Sequence, residues 1–134
     1  MESVWNARHD SGIGVIDEQH HELFRMVEHL RRLVQEGAAR NLVEALLEDL
    51  VVCSERHFAT EEAFMCKFGY PDFDQHVSEH RSMLVSLKEL RTTLLESQYS
   101  LVMMVPTFLE GWLRHHISDG DFGFITFLKA HNLA

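Results

Sequence analysis

Long runs of helical apolar periodicity, interrupted at only a few points, limit what this chain can fold into more than any other feature of it. Apolar residues recur every three or four positions, and the breaks fall at Gly37, at Gly69-Tyr70-Pro71, at the polar run Ser97-Gln98-Tyr99-Ser100 and at Gly120. That period stacks side chains on one face of a helix and leaves the other face to solvent. Only seven Gly and two Pro occur among 134 residues, too few for a loop-rich or all-β chain.

The first helix is predicted from Asp17, a good N-cap, to Gly37, with Ile16, Leu23, Phe24, Val27, Leu30 and Val34 as its apolar stripe. The second opens at Asn41, with Glu44 placed as in a capping box, and stops at Gly69-Tyr70-Pro71. Leu46, Leu50, Phe58, Phe64, Met65 and Phe68 form its buried side. Asp72 caps the third, with Gln75 at N3, and its stripe is Phe73, Val77, Met83, Leu84, Leu87, Leu90 and Leu94. The fourth runs from Leu101 to Ser118 or Asp119, with Pro106 in its first turns or at a kink. Helices over about 17–36, 42–68, 73–96 and 101–119, joined by short connections, pack as antiparallel neighbours. The expected architecture is all-α: one domain over residues 1–134, an up-down-up-down four-helix bundle. Residues 1–16, with Trp5, form an N-terminal arm against it, and the apolar tail 121–134 packs back as a short C-terminal helix.

Charge and cysteine content narrow the function. A net charge of −9, from 21 Asp+Glu against 12 Lys+Arg, argues against nucleic acid or an anionic membrane as partner. No apolar run reaches membrane-spanning length, and the N-terminus has neither the basic nor the apolar region of a signal peptide. Cys53 and Cys66 fall on one helix roughly 20 Å apart, too far to bridge each other. They read as reduced thiols of a cytoplasmic protein, taken to be a monomer or weak oligomer.

Ten histidines are a high count, and their spacing is the strongest functional signal. His57 and Glu61 are four residues apart, as are His76 and His80, so each pair stacks on one helix face. His20 continues the row of Ile16, Phe24 and Val27, whereas His21 lies about 100° away. His57 and Glu61 extend the row from Leu50 and Ser54 towards Met65 and Phe68. His76 and His80 lie between Phe73 and Leu84. On the fourth helix His116 shares a face with Leu109, Trp112 and Leu113, while His115 continues Phe108 and Gly111. Two carboxylates compete there. His115 with Asp119 is the regular i, i+4 pair; His116 with Asp121 is i, i+5 and needs a π-type turn or an unwinding at Gly120. His9, His21, His29, His115 and His131 read as solvated or supporting residues.

Five inward histidines with one or two carboxylates cannot be buried cheaply without a cation, because unpaired buried titratable groups cost several kcal/mol. Imidazole and carboxylate without thiolate suit iron or another first-row metal better than structural zinc. Seven ligands exceed what one four-coordinate ion needs and suit two ions sharing carboxylates. The oxygen-rich bundle sites that use Glu-x-x-His on two helices do not fit, since the single match, Glu18–His21, points the wrong way.

At this point the chain resembles the hemerythrin family, in its single-domain bacterial type. The elements that carry the resemblance are GVIDEQH (14–20), HFATEE (57–62), YPDFDQHVSEH (70–80) and WLRHHISDGD (112–121), which together cover essentially the whole chain. The resemblance implies a non-haem di-iron protein that binds O2 reversibly for transport, storage or sensing. By it His76, His80 and His116 bind one iron and His20 and His57 the other. Glu61 and Asp121 bridge them, with an oxo or hydroxo group as third bridge. The family's His-x4-Asp pattern favours His116 with Asp121. O2 would bind at the open position of the two-histidine iron. The candidate walls of its pocket are Leu23, Phe24, Phe58, Trp112, Leu113, Ile117 and Phe124, each of which would serve equally well as plain bundle core. Phe122-Gly123-Phe124 departs from the charged residues the family often has after the bridging aspartate. The resemblance implies a binding protein rather than an enzyme, with a protein partner for delivery or signalling. The rival functions are a di-iron peroxidase, an NO- or peroxide-scavenging enzyme, or a metal-dependent sensory interaction module.

Overall fold

A computed structural model describes residues 10–96 and 101–133, without the side chains of Leu101, Val102, Ser118 and Asp119. Trp5 and the polar run 97–100 lie outside the described residues. Helix α1 spans Gly14–Gln35, α2 Arg40–Phe68, α3 Phe73–Glu96, α4 Val105–Arg114 and α5 Phe122–Ala130. Among the described residues there is no strand. α2 packs between α1 and α3, α1 packs on α4, and the Trp112 indole N–H donates to the Met83 carbonyl at 3.0 Å, tying α4 to α3. The result is the antiparallel four-helix bundle with a short C-terminal helix. No helix among the described residues is long and apolar enough to cross a membrane.

The helix starts differ from expectation for local reasons. α1 begins at Gly14, three residues before Asp17, with no capping side chain. Asp17 instead sits in the first turn, where its carboxylate accepts the Ser11 amide and hydroxyl at 2.8 and 2.9 Å and the Gly12 amide at 3.2 Å. It folds the preceding loop onto the helix rather than capping the helix itself. α2 begins at Arg40, also without a side-chain cap, and Glu44 pairs with Arg40 at 2.9 Å instead of closing a capping box with Asn41. Gln75 reaches forward to Glu79 rather than back to Asp72. The α2 end is as expected: Gly69 takes a left-handed φ of 68°, and its amide and that of Tyr70 bond back to Cys66 and Met65.

The fourth helix is broken into pieces. Leu101–Met104 is a 3₁₀ turn, Pro106 falls in the first turn of α4, where a missing N–H costs nothing, and residues His115–Gly120 form a π-helix. The core divides into two apolar clusters. The larger runs the length of the bundle through Leu23, Val27, Leu30, Leu47, Leu50, Phe58, Leu87, Leu109, Leu113 and Ile117. The smaller, around Ile16, Met65, Tyr70, Phe124 and Leu128, seals one end with α5. Leu46, Phe64, Phe68, Phe73, Leu84 and Leu90 are only half-buried, while Val43, Leu47 and Val51 are fully buried on α2.

Candidate metal centre

The polar layer lies between the two apolar clusters. His20 on α1, His57 and Glu61 on α2, His76 and His80 on α3, His116 in the π-turn and Asp121 after it all have side chains enclosed by the bundle, with at most 4% of any residue exposed. His115, by contrast, is exposed. The i, i+5 geometry that His116 and Asp121 require is supplied by the π-turn: the Asp121 amide donates to the His116 carbonyl at 2.8 Å. The side chain of the competing carboxylate, Asp119, lies outside those the structure describes.

Every inward imidazole points Nε2 at one or two of the four oxygens of Glu61 and Asp121. His20 and His57 face Glu61 Oε2 at 2.9 and 3.1 Å, whereas His80 faces Glu61 Oε1 at 3.1 Å. Asp121 divides in the same way: His76 meets Oδ1 at 2.9 Å and His20 meets Oδ2 at 2.8 Å. Each carboxylate therefore offers one oxygen to the His20/His57 side and the other to the His76/His80 side. His116 stands between them, 3.2 Å from Glu61 Oε1 and 3.2 Å from Asp121 Oδ2, with its Nε2 2.9 Å from that of His57. One group of potential ligands thus comprises His20, His57, Glu61, His116 and Asp121, and the other Glu61, His76, His80 and Asp121. The resemblance assigns His116 to the His76/His80 side; its position here is shared and leans towards His57.

Two hydrogen bonds on the outer side of the rings fix what Nε2 presents to the interior. The His80 Nδ1–H donates to Glu62 Oε2 at 2.9 Å, and the His57 Nδ1–H donates to Gln19 Oε1 at 2.9 Å. With Nδ1–H committed outward, Nε2 is the ring atom that each of these histidines turns to the interior. His80 Nε2 and Glu61 Oε1 lie 3.1 Å apart in the interior, and neither atom has a hydrogen-bond partner. A cation between such groups removes that cost, and the donor set, nitrogen and carboxylate oxygen without sulfur, fits iron. Gln19 and Glu62 escaped notice in the sequence because their partners are 38 and 18 residues away on other helices. Their one visible signal is adjacency to His20 and to Glu61.

Charge in the centre is arranged to match. Burial alone would lower the His20 and His116 imidazoles, but Asp121 and Glu61 raise them to about 9 and about 10. His76 is also raised: burial opposes it, and the bond with Asp121 prevails. Burial prevails at His57, which is lowered despite Glu61. Burial and the neighbouring Glu61 charge would raise Asp121, yet His116 holds it below the usual carboxylate range. Glu61, against its own burial, is held well below that range by His116 and His57. Protons shared between imidazoles and carboxylates thus supply positive charge that a metal would otherwise bring, and metal uptake must release them.

Of the expected pocket residues, Leu23, Phe58, Trp112, Leu113 and Ile117 are buried in the larger cluster, and Phe24 is half-buried against it. Phe58 stacks on His80, ring centroids 4.1 Å apart and 9° from parallel, and also lies 4.9 Å from the His116 ring. Phe124 is not with them. It belongs to the smaller cluster, 5.1 Å from Tyr70, because the π-turn and Asp121 redirect α5 to the opposite side of the polar layer.

Fold and site together define a class: a four-helix bundle whose core is interrupted by a layer of five imidazoles and two carboxylates. The model of the hemerythrin HHE cation-binding domain matches residues 11–128, and this chain belongs to the hemerythrin family, which binds non-haem iron. It is similar to the bacteriohemerythrin of Stenotrophomonas maltophilia, at 30% identity over 128 residues, covering 96% of this chain and 82% of that protein. The bacteriohemerythrin of Pseudomonas aeruginosa is 30% identical over 122 residues, covering 91% and 78%. A crystal structure of wild-type hemerythrin shares the fold with a TM-score of 0.79 at 28% identity, covering 91% of this chain and 94% of that one.

Proposed function

We propose that this chain holds two iron ions and binds O2 reversibly at one of them, in oxygen transport, storage or sensing. The observation that carries the reading is the division of the two carboxylates, each offering one oxygen to either side of the histidine layer. In this reading His76, His80 and His116 would hold one iron and His20 and His57 the other, with Glu61 and Asp121 serving both. When bound, the ferrous pair supplies the electrons that O2 takes up and returns.

The protein's own residues do the rest. If His116 serves the His76/His80 iron, as the resemblance implies, the His20/His57 side would have fewer nitrogen donors and could keep a position for O2, although His116 here stands between the two sides. The apolar cluster containing Leu23, Phe58, Trp112, Leu113 and Ile117 would exclude water from the histidine layer, which would keep external protons from driving irreversible oxidation. Phe24 stands at the rim. Glu61 and Asp121 accept the positive charge of the metals in an interior where water cannot.

The test is a gas cycle on iron-loaded, anaerobically reduced protein whose metal content has been measured. Two irons per chain, and a visible charge-transfer band that appears with O2 and vanishes under argon, is the expected result. A band that decays to a stable oxidised spectrum would instead support a peroxidase, a scavenging enzyme or a redox-sensing module.

A further inference from the structure

His57 and His80 are both anchored through their outer nitrogens, but not alike. His80 Nδ1–H meets a carboxylate, Glu62 Oε2, whereas His57 Nδ1–H meets a neutral amide oxygen, Gln19 Oε1, at the same 2.9 Å. The amide cannot turn to offer its NH2 instead. Gln19 Nε2 donates to Thr60 Oγ1 at 3.3 Å, and the Thr60 hydroxyl is itself committed to the Arg56 carbonyl at 3.0 Å. His57 and His80 lie on opposite sides of the divided Glu61 carboxylate.

We propose that Glu62 and Gln19 are positioning residues that make the two halves of the centre electronically unequal. A charged acceptor pulls harder on an N–H proton than a neutral one does and gives its imidazole partial imidazolate character. His80 is therefore the stronger electron donor, and its side of the centre favours the higher oxidation state. His57, bonded to an amide, is the weaker donor, which keeps the His20/His57 side easier to leave reduced and suits it to hold a ligand that must depart again. The Gln19–Thr60–Arg56 chain maintains this difference by locking both the amide and the His57 tautomer. The inference rests on the di-iron reading and adds to it a role for three residues that bear no metal.

Two isosteric exchanges test it: Glu62→Gln and Gln19→Glu, each made in the full chain and loaded with ferrous iron. Ferrous affinity and the midpoint potential of the centre are measured beside those of the unmodified protein. Glu62→Gln is expected to weaken iron binding roughly 10- to 100-fold and to raise the potential. Gln19→Glu is expected to strengthen binding and lower the potential. Opposite signs are the signature, since a purely structural role would make both exchanges weaken the site. Thr60→Val, which frees the Gln19 amide, is expected to weaken iron binding with the fold unchanged by circular dichroism. Shifts of the same sign in the two exchanges, or none in either, overturn the inference while leaving the di-iron reading intact. If the unmodified chain takes up fewer than two irons, the di-iron reading itself falls, and this inference with it.

Discussion

At the residue scale the centre depends on partners that cannot be exchanged for near neighbours. His57 contributes half the nitrogen donors of the proposed open side, so His57→Ala is expected to abolish O2 binding; reversible oxygenation retained by the variant would refute the assignment. Asp121 meets three imidazoles, His20, His76 and His116, at 2.8 to 3.2 Å. Asp121→Ala should accordingly lower iron content more than Asp119→Ala does. The reverse order would move the bridge to Asp119. Tyr70 and Gly123 provide a purely steric case. A Cβ on Gly123 would meet the Tyr70 hydroxyl oxygen at 2.8 Å, and the Tyr70 ring is held by Phe124 and Phe127. Gly123→Ala should therefore cost about 1–3 kcal/mol in chemical denaturation. The same change in a Tyr70→Phe background, where the oxygen is gone, should cost clearly less. Equal costs in both backgrounds would show that the hydroxyl is not what Gly123 accommodates.

At the scale of an element the π-turn is the decisive piece. In a straight α-helix, residues five apart lie on divergent sides, and Asp121 would leave the layer that His116 occupies. The extra residue in the turn brings them to one side and also aims α5 at the smaller apolar cluster. Deleting Ser118 should convert the turn to regular α-helix. The expected outcome is little change in helix content by circular dichroism but loss of at least half the bound iron. Full iron loading in the deletion variant would mean the turn is dispensable. Pro106 shows the opposite: at the first turn of α4 it disturbs nothing, because the amide it lacks had no partner to give up.

For the whole molecule, the buried charges make stability depend on pH and metal together. In metal-depleted protein His20, His76 and His116 have folded pKa values above the unfolded 6.5, so their stabilising effect is complete below pH 6.5. For His20 and His116 it is lost as pH rises through about 9 and about 10, and for His76 it is lost at a pH above the ordinary imidazole value. His57, lowered by burial, opposes this from below pH 6.5, one group against three. Glu61 and Asp121 are depressed, so their contribution is present above the ordinary carboxylate range and fades as pH falls. Thermal unfolding of metal-depleted protein should therefore peak at mildly acidic pH and decline from pH 6.5 to 10. Iron has to displace protons from the same groups, so the gain in Tm on loading should grow over that interval. A gain that is flat or shrinking with pH would mean that these imidazoles are not the ones the metal binds.

The sequence by itself determined the helices and which faces of them look inward. Periodicity is local, and burial of His20, His57, His76, His80 and His116 follows from the stripes they continue. It also limited the His116 partner to two carboxylates and named the backbone distortion that the i, i+5 pairing would need. Only the tertiary structure decided where helices begin when a loop residue such as Asp17 is drawn into other bonds. Only it placed Phe124 across the polar layer from Phe58, set His116 between the two sides, and brought Gln19 to His57 and Glu62 to His80. Each of these is a contact between helices, fixed by how four apolar stripes and one π-turn pack at once, and no single stretch of the chain carries that information.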